Sequence, residues 1–124
     1  MNEITLRLPL PEARNTAADR HWSARHRGKK RYYAAADLAT LRVRFPSAPF
    51  AVVEATATVY PRGANDIDNL FARLKSVQDW CKSRGIVMDD TPARWRWSGI
   101  PSQHVQRKEP AYLILTLRAV APAG

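Results

Sequence analysis

The sequence predicts an α+β fold, a single domain over residues 1–124 in which two helices pack on one mixed sheet in the order βαβαββ. Three observations lead there. Short segments of alternating hydrophobicity open the chain, recur near its middle and close it; two stretches of helical character separate them; and the length suits one core. The chain has 124 residues, 45% hydrophobic and 25% charged, an ordinary composition for a folded domain. A domain of this size buries roughly two-thirds of the surface its unfolded chain exposes.

In the first strand Ile4, Leu6 and Leu8 alternate with Thr5 and Arg7, and Pro9 and Pro11 end it. Glu12 to His21 is polar. Ser23 then suits the cap of a first helix whose later part, Tyr32 to Val43, is rich in alanine and leucine, with Pro46 and Pro49 preventing its continuation. From Phe50 to Tyr60 a second strand turns Ala51, Val53, Ala55, Ala57 and Val59 toward the core and Glu54, Thr56 and Thr58 outward, until Pro61 and Gly63. Ile67, Leu70, Phe71, Leu74, Val77 and Cys81 recur at three- and four-residue steps and form the stripe of a second helix closing near Gly85. The apolar run Ile86 to Met88 follows, then a strand over Arg94 to Trp97, a polar connection from Pro101 to Pro110 carrying Arg107 and Lys108, and a last strand from Ala111 to Ala119.

Twenty Lys and Arg face eleven Asp and Glu, a formal charge of +9. This excess points to a polyanion, and the lack of a basic helix with a broad apolar face favours nucleic acid over a membrane surface. Arg20, Arg25, Arg27, Lys29, Lys30 and Arg31 lie close together with His21, Trp22 and His26 among them. They read as DNA phosphate contacts, or more plainly as a solvated helix start; six such contacts would cost roughly a thousandfold in affinity over a modest rise in salt. Cys81 is the sole cysteine, which excludes an intramolecular disulfide or a Cys-based zinc site and suits a reducing compartment. The opening MNEITLRLPLPEA has no apolar run of signal or membrane length, so the expectation is a soluble, cytoplasmic protein. The spacing of His21, His26 and His104 is no zinc pattern. Trp95 and Trp97 read as core positions with Arg94 and Arg96 outside, base stacking being the sharper alternative. No Walker loop, serine-nucleophile motif or dinucleotide fingerprint occurs, so no nucleotide cofactor is expected.

Asn65-Asp66-Ile67-Asp68-Asn69 sets two carboxylates two residues apart where a strand gives way to a helix. The helix N-terminus favours anions. Capping is one reading of such aspartates and metal binding the other. Asp89 and Asp90 form a second pair about twenty residues on, after the Gly turn, and alone read as a turn before Pro92. Mg²⁺ takes hard oxygen ligands and keeps several waters, so two or three carboxylates and the oxygens of a phosphate complete its shell. Clustered aspartates on a basic chain thus suit phosphodiester hydrolysis, with basic surface on the backbone and acid on the metal.

The run Asn65-Asp-Ile-Asp-Asn-Leu-Phe-Ala-Arg-Leu-Lys75, followed by Ser83-Arg-Gly-Ile-Val-Met-Asp-Asp90, resembles the D-x-D-N helix and downstream G-x-x-x-D-D element of the RusA family of Holliday-junction resolvases. The Leu8-Pro9-Leu10-Pro11 strand end, the strand before the motif and the final strand follow the family's order as well. The resemblance implies a Mg²⁺-dependent endodeoxyribonuclease, with Mn²⁺ as a substitute ion, acting on branched DNA such as a four-way junction. It also implies a homodimer. It puts Asp66, Asp68 and Asp90 at the metal-binding carboxylate positions, Asp89 as an adjacent acid and Asn69 as support for the helix start. Near Ala72, where the family often carries a lysine, this chain has only a methyl group.

Lys75, seven residues after Asp68 and on about the same helical face, is the nearest basic replacement, or else a solvated surface lysine. Helix length adds a constraint. From Asp68 to Arg84 an unbroken helix spans roughly 24 Å, and residues 85 to 90 return at most about 20 Å when extended. Asp90 therefore reaches its own chain's site only if Ile86 to Met88 fold back along the helix or the helix stops early; otherwise it serves a partner subunit. Two rival functions stay open: a noncatalytic DNA-binding module whose Asp pairs only cap and turn the chain, and a nuclease for flaps or simple duplexes.

Overall fold

Isoleucine, leucine, valine and alanine on one parity of three sequence segments give the sheet a single apolar face. The computed structural model describes residues 1–13 and 22–120, with side chains in the first helix from His26 onward. Its elements are β1 (Glu3–Pro9), α1 (Trp22–Ala39), β2 (Val53–Tyr60), α2 (Ile67–Ser83), β3 (Trp95–Trp97), β4 (Ser102–Gln103) and β5 (Tyr112–Ala119). The strands form one mixed sheet in the order β1-β5-β2-β3, with β4 also on β2. β5 is antiparallel to β1 and β2, whereas β3 and β4 run parallel to β2.

Ile4, Leu6, Leu8, Val53, Ala55, Ala57, Val59, Leu113, Leu115, Leu117 and Trp95 share one cluster with Ala36 of α1 and Leu70, Leu74, Val77, Trp80 and Cys81 of α2. Both helices therefore cover the same sheet face. The other face is polar and open to solvent, as an antiparallel sheet allows; its hydroxyls bond across strands, Thr5 to Thr116 at 3.1 Å and Thr56 to Ser98 at 2.8 Å. The Tyr32 hydroxyl donates to the Pro9 carbonyl at 2.8 Å, and the buried Trp80 indole N–H donates to Asp37 at 2.9 Å. These two bonds fix α1 against β1 and α2. No helix of the described residues is long and apolar enough to cross a membrane.

Several expectations are corrected. Ser23 is the second residue of α1 and so does not cap it. The helix stops at Ala39 rather than Val43, because the Thr40 hydroxyl donates back to the Ala36 carbonyl at 2.8 Å and the Val43 N–H to Thr40 at 3.0 Å, which turns the chain out. Ala51 is exposed and Val52 buried, since period-two order begins only at Val53. On α2, Ile67 is half exposed, while Trp80, outside the expected stripe, is fully buried. The expected connection from Pro101 to Pro110 contains β4, whose Thr58↔Ser102 and Val59↔Gln103 pairs give the order βαβαβββ. A two-residue strand of polar side chains carries no hydrophobic period by which to be recognised.

Candidate functional site

Asp66 is the N-cap of α2: its carboxylate accepts the Asn69 backbone N–H at 2.8 Å and the Asn69 side-chain amide at 3.3 Å. That satisfies one of the free N–H groups of the first turn. Asp68 lies in this first turn, exposed, with no ion pair among the described residues. The loop before it is clamped. Gln103 of β4 accepts the Asn65 N–H at 3.0 Å and the Asn65 amide at 3.2 Å, and donates to the Asn65 carbonyl at 2.9 Å. Arg73, one face round the helix, donates to the Asn65 side chain at 3.1 Å and to the Pro11 carbonyl at 2.6 Å. Burial lowers the Arg73 pKa, against the pull of Glu12.

At its other end α2 closes with Gly85 at φ +73°, the left-handed conformation that glycine adopts without a Cβ penalty. The Gly85 N–H donates to Lys82 at 3.1 Å and the Ile86 N–H to Cys81 at 3.0 Å, the two bonds of a Schellman motif. This reverses the chain. Ile86 and Val87 are buried, the Phe50 N–H donates to Ile86 at 2.9 Å and the Met88 N–H to Phe50 at 3.0 Å, so the segment runs beside the start of β2. It folds back along its own helix, and Asp90 meets Lys75 within the same chain.

Lys75 donates a short hydrogen bond to Asp90 and lies 3.5 Å from Asp79. The Asp90 side chain is only 10% exposed. Burial works to raise the Asp90 pKa, but hydrogen bonds from Lys75 and from Asp79 outweigh it and leave the group below its ordinary value. Asp79 is raised, first by burial and then by its hydrogen bond to Asp90. Lys75 is raised chiefly by its bond to Asp90. Next to this cluster Lys82 pairs with Asp89 at 3.1 Å, while the Asp89 carboxylate also accepts the Asp90 N–H at 2.9 Å.

Of the residues expected at the site, the structure thus joins Lys75 with Asp90, and Asp89 beside them. Asp68 lies seven residues from Lys75, roughly 10 Å along the helix axis. Among the described residues no three His, Cys, Asp or Glu side chains converge to hold a metal ion. The donor chemistry at the α2 start nevertheless suits Mg²⁺, which is commonly held through one or two carboxylates plus waters and phosphate oxygens, and Asp68 faces solvent. Arg27, Lys29, Lys30 and Arg31 are all exposed on α1. Arg20 and the side chain of Arg25 lie outside the described residues.

Two residues of the cluster escaped the sequence reading: Asp79 and Lys82. The Lys75–Asp79 spacing of four and the Lys75–Lys82 spacing of seven were available signals for one helical face. No protein-family model matches the chain, and no curated protein matches it either.

Proposed function

We propose that this protein is a Mg²⁺-dependent, structure-selective DNA endonuclease of the RusA type that nicks four-way junctions as a homodimer, in the cytoplasm. The observation that carries the reading is the return of Asp90 along α2 to Lys75, which turns the second acidic pair back toward the helix start that carries Asp66 and Asp68, in a chain with charge +9. Asp66, Asp68 and Asp90 would hold the ion, and Mn²⁺ would substitute for it. When bound, such an ion lowers the pKa of a coordinated water and offsets charge on the phosphate. Asp66 keeps the turn of helix beneath Asp68 formed. Lys75 holds Asp90 ionised and, at half exposure, is free to move its ammonium toward a phosphate oxygen. Exposed cations on α1 hold the backbone of the substrate, and two-fold symmetry places one site on each of two opposed strands.

The test is cleavage of matched four-way junction, flap and linear duplex DNA with and without Mg²⁺. Paired symmetric nicks in the junction, lost in EDTA, are expected. Scission that survives EDTA or Asp68→Asn undiminished refutes the reading; preference for flap or linear DNA replaces the junction by those substrates. Binding without scission leaves the noncatalytic DNA-binding module.

A further inference from the structure

α1 and α2 lie side by side on the sheet, and on their solvent side an open groove of about 390 Å³ is lined by Lys29 and Tyr33 from α1 and by Asp79, Lys82 and Ser83 from α2. We propose that this groove is a phosphodiester channel in which Lys29 and Lys82 hold phosphates of one DNA strand and lead that strand to Lys75 and Asp90. The inference deepens the nuclease reading and rests on it for the identity of the polyanion.

Helical phase divides the basic residues of α1. Lys29 and Tyr33 are four apart and Ala36, seven on from Lys29, is buried, so these share the face turned toward α2 and the core. Arg27 and Arg31 are two residues to either side of Lys29, about 200° round the helix at 100° per residue. Only Lys29 among them reaches the groove. It sits 5.5 Å over the Tyr33 ring and has no carboxylate partner among the described residues. Its charge is therefore available to an incoming anion.

Across the groove, Lys82 is held by Asp89 in an ion pair in which both side chains are substantially exposed, 52% and 33%. Pairs of this kind contribute little and exchange readily for another anion. Tyr33 and Ser83 add hydroxyl donors. Burial and the charges of Asp79 and Asp90 push the Tyr33 phenol up to about 12, which keeps its proton in place to donate at neutral pH. Among the described residues Asp79 is the one acid lining the groove, and its charge is offset by Lys75 at 3.5 Å. Lys82 and Lys75 are seven residues apart on one face of α2, roughly 10 Å along its axis. The channel thus ends where the acidic cluster begins.

The experiment measures binding of a labelled four-way junction and a linear duplex in EDTA as a function of salt, for the full chain and its Lys29→Gln, Lys82→Gln, Tyr33→Phe, Arg31→Gln and Lys108→Gln variants, with circular dichroism to establish folding. Lys29→Gln and Lys82→Gln are expected to weaken binding severalfold and each to lower the slope of log K against log salt by about 1. Tyr33→Phe loses less, and Lys108→Gln, on the exposed loop before β5, stays as the parent. Unchanged slopes for Lys29→Gln and Lys82→Gln, with the loss falling on Arg31→Gln, would move the strand to the outer face of α1 and overturn the proposal. Displacement of the DNA by inorganic phosphate at millimolar concentration would also overturn it, because the groove would then be a small-anion site. The two readings fail separately: groove-dependent binding without Mg²⁺-dependent scission rejects the nuclease alone, and full cleavage by Lys29→Gln and Lys82→Gln rejects the channel alone.

Discussion

The two ends of α2 use the same residue type in opposite ways. At the start, Asp66 is bound to the backbone of its own first turn and Asp68 is exposed, with no ion pair among the described residues, and the loop behind them is clamped by Gln103 and Arg73. Toward the other end, Asp79, Asp89 and Asp90 are matched with Lys75 and Lys82. The first region is held by hydrogen bonds rather than ion pairs and, among the described residues, keeps an unpaired carboxylate. The second is held by charge pairs and keeps none. An exposed carboxylate offers oxygen to a hard cation directly, whereas a paired one does so once its lysine moves away.

The largest expected effect breaks the first region chemically without unfolding it. Asp68→Asn should lower Mg²⁺-dependent junction cleavage by a hundredfold or more, roughly the loss of a group that supplies several kcal/mol of charge stabilisation. Its thermal stability should stay within about 0.5 kcal/mol of the parent, as for an exposed position. Asp66 separates its two roles: Asn caps a helix about as well as Asp, so Asp66→Asn should keep stability and lose cleavage, while Asp66→Ala should lose about 1 kcal/mol as well. An Asp66→Asn protein that cleaves normally would reduce Asp66 to a cap.

Next in size are the devices that hold each region. Gly85→Ala finds open space for its Cβ, so its cost is the positive φ alone, about 1–2 kcal/mol. Gln103→Ala strips three hydrogen bonds from Asn65, which is half-buried, and should cost about 1 kcal/mol. Amide exchange distinguishes them: faster exchange at residues 86–90 for the first and at 63–69 for the second. Equal loosening at both ends in either variant would show that α2 responds as one unit and dissolve the contrast.

How far the sequence discloses each region follows from the same difference. Asp66 and Asp68 are local: two residues beside a strand end and a helix start announce a cap, and the cap is there. The return of Asp90 was visible only as a condition, because the reversal rests on one glycine and on a pairing between Val87 and Phe50, residues 37 apart in sequence. Lys75 was found by helical phase, and Asp79 and Lys82, on the same face, were open to the same reasoning. Gln103 was not legible, since β4 is two residues long and its value lies in what it holds across the sheet edge. Apolar alternation defined the major strands and their core face for a simple physical reason: a one-sided sheet must repeat every two residues.

The smallest effects are in the pH dependence of stability, and they test whether the second region is governed by charge. Asp90 is lowered in the fold, so its contribution is present above the ordinary value of 3.8 and is lost as pH falls through its folded value. Asp79 is raised and acts in the opposite sense: its contribution is present below 3.8 and is lost as pH rises through its folded value. Lys75 is raised, so its contribution persists below 10.5 and disappears as pH climbs through the folded value above it. Melting temperature against pH should therefore fall less steeply below 3.8 in Asp90→Asn, fall less just above 3.8 in Asp79→Asn, and lose part of its decline above 10.5 in Lys75→Gln. If the Asp79→Asn profile overlays that of the parent, Asp79 is not raised in the fold, and the pH dependence of this end of α2 rests on Lys75 and Asp90.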